Sequence, residues 1–342
     1  VSDATDAPPD GDDEVGPCDA FLPGCPCHLA ETMPPPVTNP WIAYVATPSG
    51  GFPSLYLVRA DGTGLVEVPA ARPASPFPSE SQRALPAWSW DGTKLAYRSF
   101  DFGVSAERPT LRVVDLTTGE YVVVEHGLSW ITSIAWGPDD ASLYVTGSVE
   151  RTDRADIFQL FFDGSPAENV SSTATLAEGA LSFARPDLAV YQVTEDSAQF
   201  VVTWELCTNN RTRETTSEER VDGRPSLSWS GERLLYPRSG SPDEEGRPTA
   251  EVVLFERSAL APRRTAVGGP QMRDASLAAD GSFAVYVDRT PPVDLFVLWP
   301  LLPEPGGAAE PSRRVTNDTR AESSPVISRV ESDSVVPWFV AD

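Results

Sequence analysis

Hydrophobic and polar positions alternate along this chain in short bursts, and the bursts recur. The clearest runs Pro86-Ala-Trp-Ser-Trp-Asp-Gly-Thr-Lys-Leu-Ala-Tyr-Arg-Ser99. It predicts strand, tight turn, strand, with Asp91-Gly92 supplying the positive φ angles of a two-residue hairpin turn. Copies follow at Ser133-Ile-Ala-Trp-Gly-Pro-Asp-Asp, Leu181-Ser-Phe-Ala-Arg-Pro-Asp, Ser226-Leu-Ser-Trp-Ser-Gly-Glu and Ser276-Leu-Ala-Ala-Asp-Gly, and finally at Pro325-Val-Ile-Ser. The second strands, such as Leu95-Ala-Tyr97 and Phe283-Ala-Val-Tyr286, are apolar on both faces. A half-exposed sheet would alternate instead, so these strands are expected between two neighbouring layers.

A second hairpin separates successive copies. Leu55-Tyr-Leu-Val-Arg-Ala-Asp-Gly leads to Leu65-Val-Glu-Val, and Leu111-Arg-Val-Val-Asp-Leu-Thr-Thr-Gly to Tyr121-Val-Val-Val. Ile157-Phe-Gln-Leu-Phe-Phe-Asp-Gly matches them; Phe200-Val-Val-Thr-Trp-Glu, Val252-Val-Leu-Phe-Glu-Arg and Leu295-Phe-Val-Leu-Trp are degraded versions. Two hairpins per period of about 45 to 50 residues make a four-stranded propeller blade. The expected fold is an all-β, six-bladed β-propeller over residues 39–342. Trp41-Ile-Ala-Tyr-Val-Ala46 resembles a second strand entered without its first, and Pro325-Val-Ile-Ser a first strand. Pairing them closes the ring with strands from both termini and removes an open sheet edge. Val335–Val340 also looks like a second strand. It could compete with Trp41–Ala46, add an outer strand, or mark a seventh, incomplete blade, which is the alternative to six.

These repeats resemble the TolB-type bacterial β-propeller: Trp-Ser-x-Asp-Gly, a short apolar strand, then a Leu-Tyr-x-x-x-x-Asp-Gly hairpin. The resemblance covers about residues 39–342 and is strongest at Pro86–Ser99. The extra N-terminal α/β domain of TolB has no counterpart in the chain. The resemblance implies an extracytoplasmic, bacterial protein of the periplasm, outer surface or secreted fraction. It also implies peptide or lipoprotein binding at the mouth of the central channel.

Residues 1–38 carry eight acidic residues, no Lys or Arg, and Pro34-Pro-Pro36. Such a composition buries no core and is expected to be extended. Three of the four cysteines lie here, Cys18, Cys25 and Cys27 beside His28, and the fourth is Cys207. A zinc site is one reading; disulfides of an oxidising compartment are preferred, because the spacing fits no standard zinc knuckle. Cys18 can reach Cys25 or Cys27. The cysteine left over either bridges to Cys207, strapping the tail to the ring, or Cys207 is a buried free thiol.

The 342 residues carry a net charge of −24, with Lys94 the sole lysine. An excess of acid this large opposes binding to nucleic acid, which works by neutralising phosphates. No run of 18 apolar residues suggests a membrane span. The chain starts at Val1, expected of a mature form whose targeting segment has been removed; a lipid anchor is not demonstrable from the residues. Long connections are expected at 69–86, 100–109, 239–249 and 300–314. Phe100 and Phe102 stand out as aromatics in a polar link, the kind of group an interface buries.

Candidate chemistry is thin. The chain has no Gly-x-Ser-x-Gly and no His-Glu-x-x-His. His28 sits in the tail, and His126 is placed at a blade-to-blade turn. Asp91, Asp163 and Asp280 have turn roles, and Asp139-Asp140 lacks the ligand pattern of a calcium loop. Trp88, Trp136 and Trp229 share one repeat position and are expected between blades. Trp90, Trp130 and Trp204 fall off that register; Trp90 and Trp130 join Phe100 and Phe102 as partner-contact candidates. The function expected is a protein-binding or scaffold module of the cell envelope or a surface assembly, with no cofactor, no metal and no enzymatic activity. The alternative is a propeller-type carbohydrate-active enzyme or small-ligand binder using the central channel. A lyase of that type, by resemblance, needs histidines with a metal ion, and this propeller has one histidine.

Overall fold

The computed structural model describes residues 35–69, 82–100, 109–150, 154–173, 176–216, 221, 223–239, 249–257, 262–267, 272–289, 293–298, 312–317, 320–334, 337 and 339. These residues form 24 strands and no helix. β1 (Pro40–Thr47), β2 (Ser54–Arg59) and β3 (Val66–Glu67) begin the chain. Five complete sheets in sequence order follow a common plan: β4 (Gln82–Trp88), β5 (Lys94–Phe100), β6 (Thr110–Asp115) and β7 (Tyr121–Val124); then β8 (Trp130–Trp136), β9 (Ser142–Ser148), β10 (Asp156–Phe161) and β11 (Glu168–Asn169). Next come β12 (Ala177–Arg185), β13 (Leu188–Glu195), β14 (Ala198–Glu205) and β15 (Asn210–Arg213), followed by β16 (Ser226–Leu227), β17 (Arg233–Ser239), β18 (Ala250–Glu256) and β19 (Arg263–Val267). The last full set is β20 (Met272–Leu277), β21 (Ala284–Asp288), β22 (Asp294–Leu298) and β23 (Arg313–Arg314). β24 (Ala321–Glu331) then pairs antiparallel with β1, giving the order β24-β1-β2-β3. The architecture is a six-bladed β-propeller.

Blade 1 is therefore the one shared between the ends. Its join is sealed by Glu331, whose carboxylate accepts from the Thr38 N–H, the Thr38 hydroxyl and the Asn39 N–H. Burial pushes Glu331 up, but these bonds outweigh it and hold its carboxyl below the usual range. The Trp41 indole donates to the Ser332 carbonyl at 3.1 Å. Of Val335–Val340, the described residues Pro337 and Phe339 are not in a strand, and Phe339 packs on the Trp41 cluster. β1 is held by two partners and leaves no place there for a competitor.

The two-faced apolarity of the second strands has the expected cause. Ile42 and Tyr44 pack on Phe283 and Val285 of blade 6, while Trp41, Ala43 and Val45 pack on Trp88, Leu95 and Tyr97 of blade 2. Each strand thus serves two inter-blade cores.

The first hairpin turn differs from expectation. Gly92 has φ 71°, and Asp91 is not among the residues with positive φ. The Ser89 N–H donates to the Lys94 carbonyl, and the Gly92 N–H to the Ser89 carbonyl at 3.2 Å. A four-residue loop closes the hairpin around one left-handed residue, a common loop class. Asp91 serves by its side chain: its carboxylate accepts from the Ser89 hydroxyl and from the N–H and hydroxyl of Thr93.

Counting back from the left-handed turn residue also corrects the tryptophan register. Gly92, Asp140, Gly231 and Gly281 are equivalent, with φ between 53° and 76°. Four residues earlier lie Trp88, Trp136, Leu227 and Leu277. Trp229 therefore matches Trp90, not Trp88. Trp88 and Trp136 are buried in successive blades, and each indole donates to the inner strand of the preceding blade: Trp88 to Val326 O at 3.2 Å, Trp136 to Ala87 O at 2.8 Å. Trp229 is half-buried instead. Trp204 is buried, its indole bonded to Asn209 Oδ1 and its ring packed edge-on against Tyr191.

All four expected long connections are shorter than read, Ser239 being the last residue of β17. Gln82–Trp88 begins inside 69–86, Phe100 ends β5, and Arg313–Arg314 form β23.

Candidate binding channel and entry face

The six innermost strands β4, β8, β12, β16, β20 and β24 surround a central channel. Antiparallel order gives the ring two distinct faces. Inner strands start on one, the entry face, to which the second strands return. The Asp-Gly-type hairpins lie on the other, the hairpin face.

The inner strands break their ladders at matching places. Register shifts occur at Ala84/Ala87, Ile131/Ser133, Gly179/Ser182 and Arg273/Ser276. Leu85, Ala180, Asp274 and Ser324 there have φ between 49° and 57°. β-Bulges bend a strand and re-aim its side chains, and here they ring the channel on the entry side. A cavity of about 200 Å³ opens there, with Leu85, Thr132, Ala180, Gly223, Asp274 and Ser324 supplying one lining residue from each blade.

Toward the hairpin face the channel narrows to a chamber of about 80 Å³. Trp90 of blade 2 and Trp229 of blade 5, on opposite sides of the ring, meet edge-on with ring centroids 5.9 Å apart. The Arg329 guanidinium of blade 1 stacks on the Trp90 ring at 3.5 Å and donates to Phe183 O of blade 4. Arg224 of blade 5 donates to Ile134 O at 2.8 Å and Leu181 O at 3.0 Å, tying blades 3, 4 and 5. Burial pulls both guanidiniums down to about 10. For Arg329 the nearby Asp140 opposes that fall and Arg224 adds to it. Both remain charged at neutral pH.

The four partner-contact candidates do not form one patch. Phe102 lies outside the described residues. Trp90 belongs to the channel closure. Phe100 and Trp130 come together on the entry face across the boundary of blades 2 and 3. Arg98 lies between them, 4.9 Å from the Phe100 centroid and 5.5 Å from that of Trp130, and donates to Ile131 O. Trp130 is 39% exposed, and Val149, following the partner strand of β8, is 54% exposed. Cation–π stacking fixes the arginine and presents a preorganised aromatic surface.

His126 is held by the backbone. Its Nδ1 accepts from the Leu128 N–H at 3.0 Å, which leaves Nε2 to donate to Pro109 O at 2.9 Å. Asp163 and Asp280 cap turns at Ser165 and Ser282. Among the described residues, no three His, Cys, Asp or Glu side chains cluster so as to hold a metal ion. Cys207 follows β14, the third strand of its blade, at a hairpin-face turn; it is half-buried and disulfide-bonded, not a free thiol. Cys18, Cys25 and Cys27, like the rest of residues 1–34, lie outside the described residues.

Arg224 and Arg329 did not stand out in the sequence. Val326 O accepts from Trp88 as Ala87 O accepts from Trp136, so Arg329 stands where Trp90 stands. That alignment is the signal that could have found it. Arg224 precedes a copy's first strand, where no repeat residue marks it.

No protein-family model matches the chain, and no curated protein matches it. Solved structures do. The crystal structure of TolB from Acinetobacter baumannii superposes with a TM-score of 0.65 at 16% identity, over 84% of this chain and 66% of that one. The fold is that of a TolB-like propeller. A putative TolB from Agrobacterium tumefaciens gives a TM-score of 0.56 at 14% identity, over 82% and 89%. A chain of a nidogen/laminin complex gives 0.62 at 11% identity, over 84% and 98%. At such identities the likeness is one of fold, and the chain spans just under two thirds of the Acinetobacter protein.

Proposed function

We propose that this TolB-like propeller is a protein-binding module that works outside the cytoplasm and presents its entry face to a protein of the cell envelope or a surface assembly. The observation that carries the reading is the Phe100–Arg98–Trp130 stack beside exposed Val149. A rigid aromatic–arginine stack whose outer ring, Trp130, stays open to solvent is what binding interfaces use as an anchor. The disulfide at Cys207 suits an oxidising compartment. A net charge of −24 keeps such a module away from anionic surfaces and selects against nucleic acid.

The proposal assigns no catalytic role. His126, the one histidine outside the tail, has both ring nitrogens engaged by backbone groups. A ligand-binding role for the channel is the second reading, favoured by the chamber lined by Arg224 and Arg329.

The test is affinity capture from the native envelope with immobilised wild type, Trp130→Ala and the hairpin-face control Leu65→Ala. One protein should be enriched on wild type and Leu65→Ala and lost on Trp130→Ala. Equal recovery on all three would sink the entry-face reading.

A further inference from the structure

The chamber at the channel's narrow end is unusual in its charge. The chain has 50 acidic residues against 26 Lys and Arg. Yet the two guanidiniums that line this chamber face it with no Asp or Glu among the described lining residues. Its other polar groups are small, the hydroxyls of Ser182, Ser226 and Ser276 among them. Both arginines use part of their donor set on carbonyls, Arg224 on Ile134 and Leu181, Arg329 on Phe183. No described carboxylate forms an ion pair with either. Asp140 is near Arg329, but its carboxylate accepts the Trp90 N–H at 2.8 Å and the Asp91 N–H at 3.2 Å, and it does not line the chamber. Two like charges in a confined, poorly solvated space repel each other, and each pays for lost hydration. A guest anion relieves both terms at once.

We propose that the chamber is a carboxylate-binding site, with Arg224 and Arg329 as its two cationic walls. The guanidinium fork matches the two oxygens of a carboxylate. Ser226 adds a hydroxyl donor: its oxygen already accepts the Leu277 N–H at 3.1 Å, and its proton is left to give. Size and route narrow the class. About 80 Å³ holds a carboxylate group and little more. Trp90, Trp229 and Arg329 pack together at the hairpin end. The guest therefore enters through the 200 Å³ vestibule, which shares Arg224 and Ala275 with the chamber. Asp274 lines the vestibule, with Arg289 3.8 Å away. A monoanion passes that carboxylate more readily than a phosphate dianion. The vestibule leaves room for a slim stem behind the carboxylate, such as a glycine-like chain terminus or a small free acid. This deepens the binding reading above and rests on it only for the peptide source; a small acid would stand without it.

The test is a titration at pH 7 and constant ionic strength, followed by calorimetry and thermal shift. The probes are N-acetylglycine, its neutral amide N-acetylglycinamide, and sulfate. The wild type should bind and be stabilised by the acid alone. Arg224→Gln and Arg329→Gln should each weaken the acid at least ~10-fold, the scale of one lost charge-assisted bond. Short peptides ending in glycine, as free acid and as amide, separate the sources. Tighter binding of the peptide acid assigns a chain terminus; no gain over N-acetylglycine assigns a small acid. Both outcomes uphold the site. Acid and amide behaving alike on wild type, sulfate matching the acid, or unchanged acid affinity in both variants would overturn it. The wild-type contrast decides even if a variant fails to fold. The loss of partner capture in Trp130→Ala is read separately, so each idea can fail alone.

Discussion

Replacing Trp136 by Phe probes what holds one blade to the next. Trp136 is 2% exposed, and its indole N–H spans the blade boundary to Ala87 O at 2.8 Å. Its ring also packs against Phe162 at 5.6 Å. Phenylalanine keeps the apolar contact but has no donor. Losing the bond costs about 1 kcal/mol, and up to ~3 kcal/mol if the buried carbonyl finds no new partner. The smaller ring adds about 1 kcal/mol of cavity cost. The expected loss is therefore about 2 to 4 kcal/mol, a large share of the stability of an ordinary domain. Trp130→Phe is the control: that ring is 39% exposed, and its change should stay within about 0.5 kcal/mol. Urea unfolding followed by fluorescence and circular dichroism measures both. A Trp136→Phe midpoint within 0.5 kcal/mol of wild type, or a Trp130→Phe loss as large, would refute the assignment of Trp136 as an inter-blade tie.

Other consequences follow from turns, closure and the disulfide. Gly92→Ala would place a Cβ 2.3 Å from Val330 Cγ2 at φ 71°, whereas Gly127→Ala, at φ 66°, meets nothing within 4 Å. The first should lower the melting temperature clearly more than the second, which carries only the ~1 kcal/mol of left-handed strain. Glu331 is held below its ordinary value in the folded ring, so its contribution is present above the unfolded carboxyl range and lost as pH falls through the folded value. Glu331→Gln should flatten the acid side of the stability–pH curve, and an unchanged acid limb would remove it from the closure. Non-reducing peptide mapping should recover Cys207 joined to a peptide from residues 1–34; recovery of Cys207 as an alkylated thiol from unreduced protein would contradict the bond and free the tail.

The blades were legible because packing on both faces leaves a two-sided apolar strand, and Phe283-Ala-Val-Tyr286 keeps that mark where the strand before its turn has lost the tryptophans. Ring closure was legible because Trp41–Ala46 and Pro325–Ser328 each lacked the other's half of a hairpin. The register of Trp229 was not, because tryptophan occurs at two positions of the turn and the left-handed residue, not the indole, fixes the alignment. Half of the entry-face patch was readable from Phe100 and Trp130 as isolated aromatics. The Arg98 that unites them looks like any strand arginine until two blades are set side by side. Arg224 and Arg329 were hidden for the same reason: their meeting in one chamber is a product of the ring, between residues 105 positions apart.

The claim that the entry face carries the binding function meets its most direct test in site-specific photo-crosslinking in the native envelope. A crosslinking amino acid placed at Trp130 or Val149 probes the entry face; one at Leu65 probes the hairpin face, where it is 46% exposed. Positions 130 and 149 should trap the same protein in a discrete adduct, and position 65 should not. A discrete adduct from position 65 alone, or none from 130 and 149, would contradict the claim.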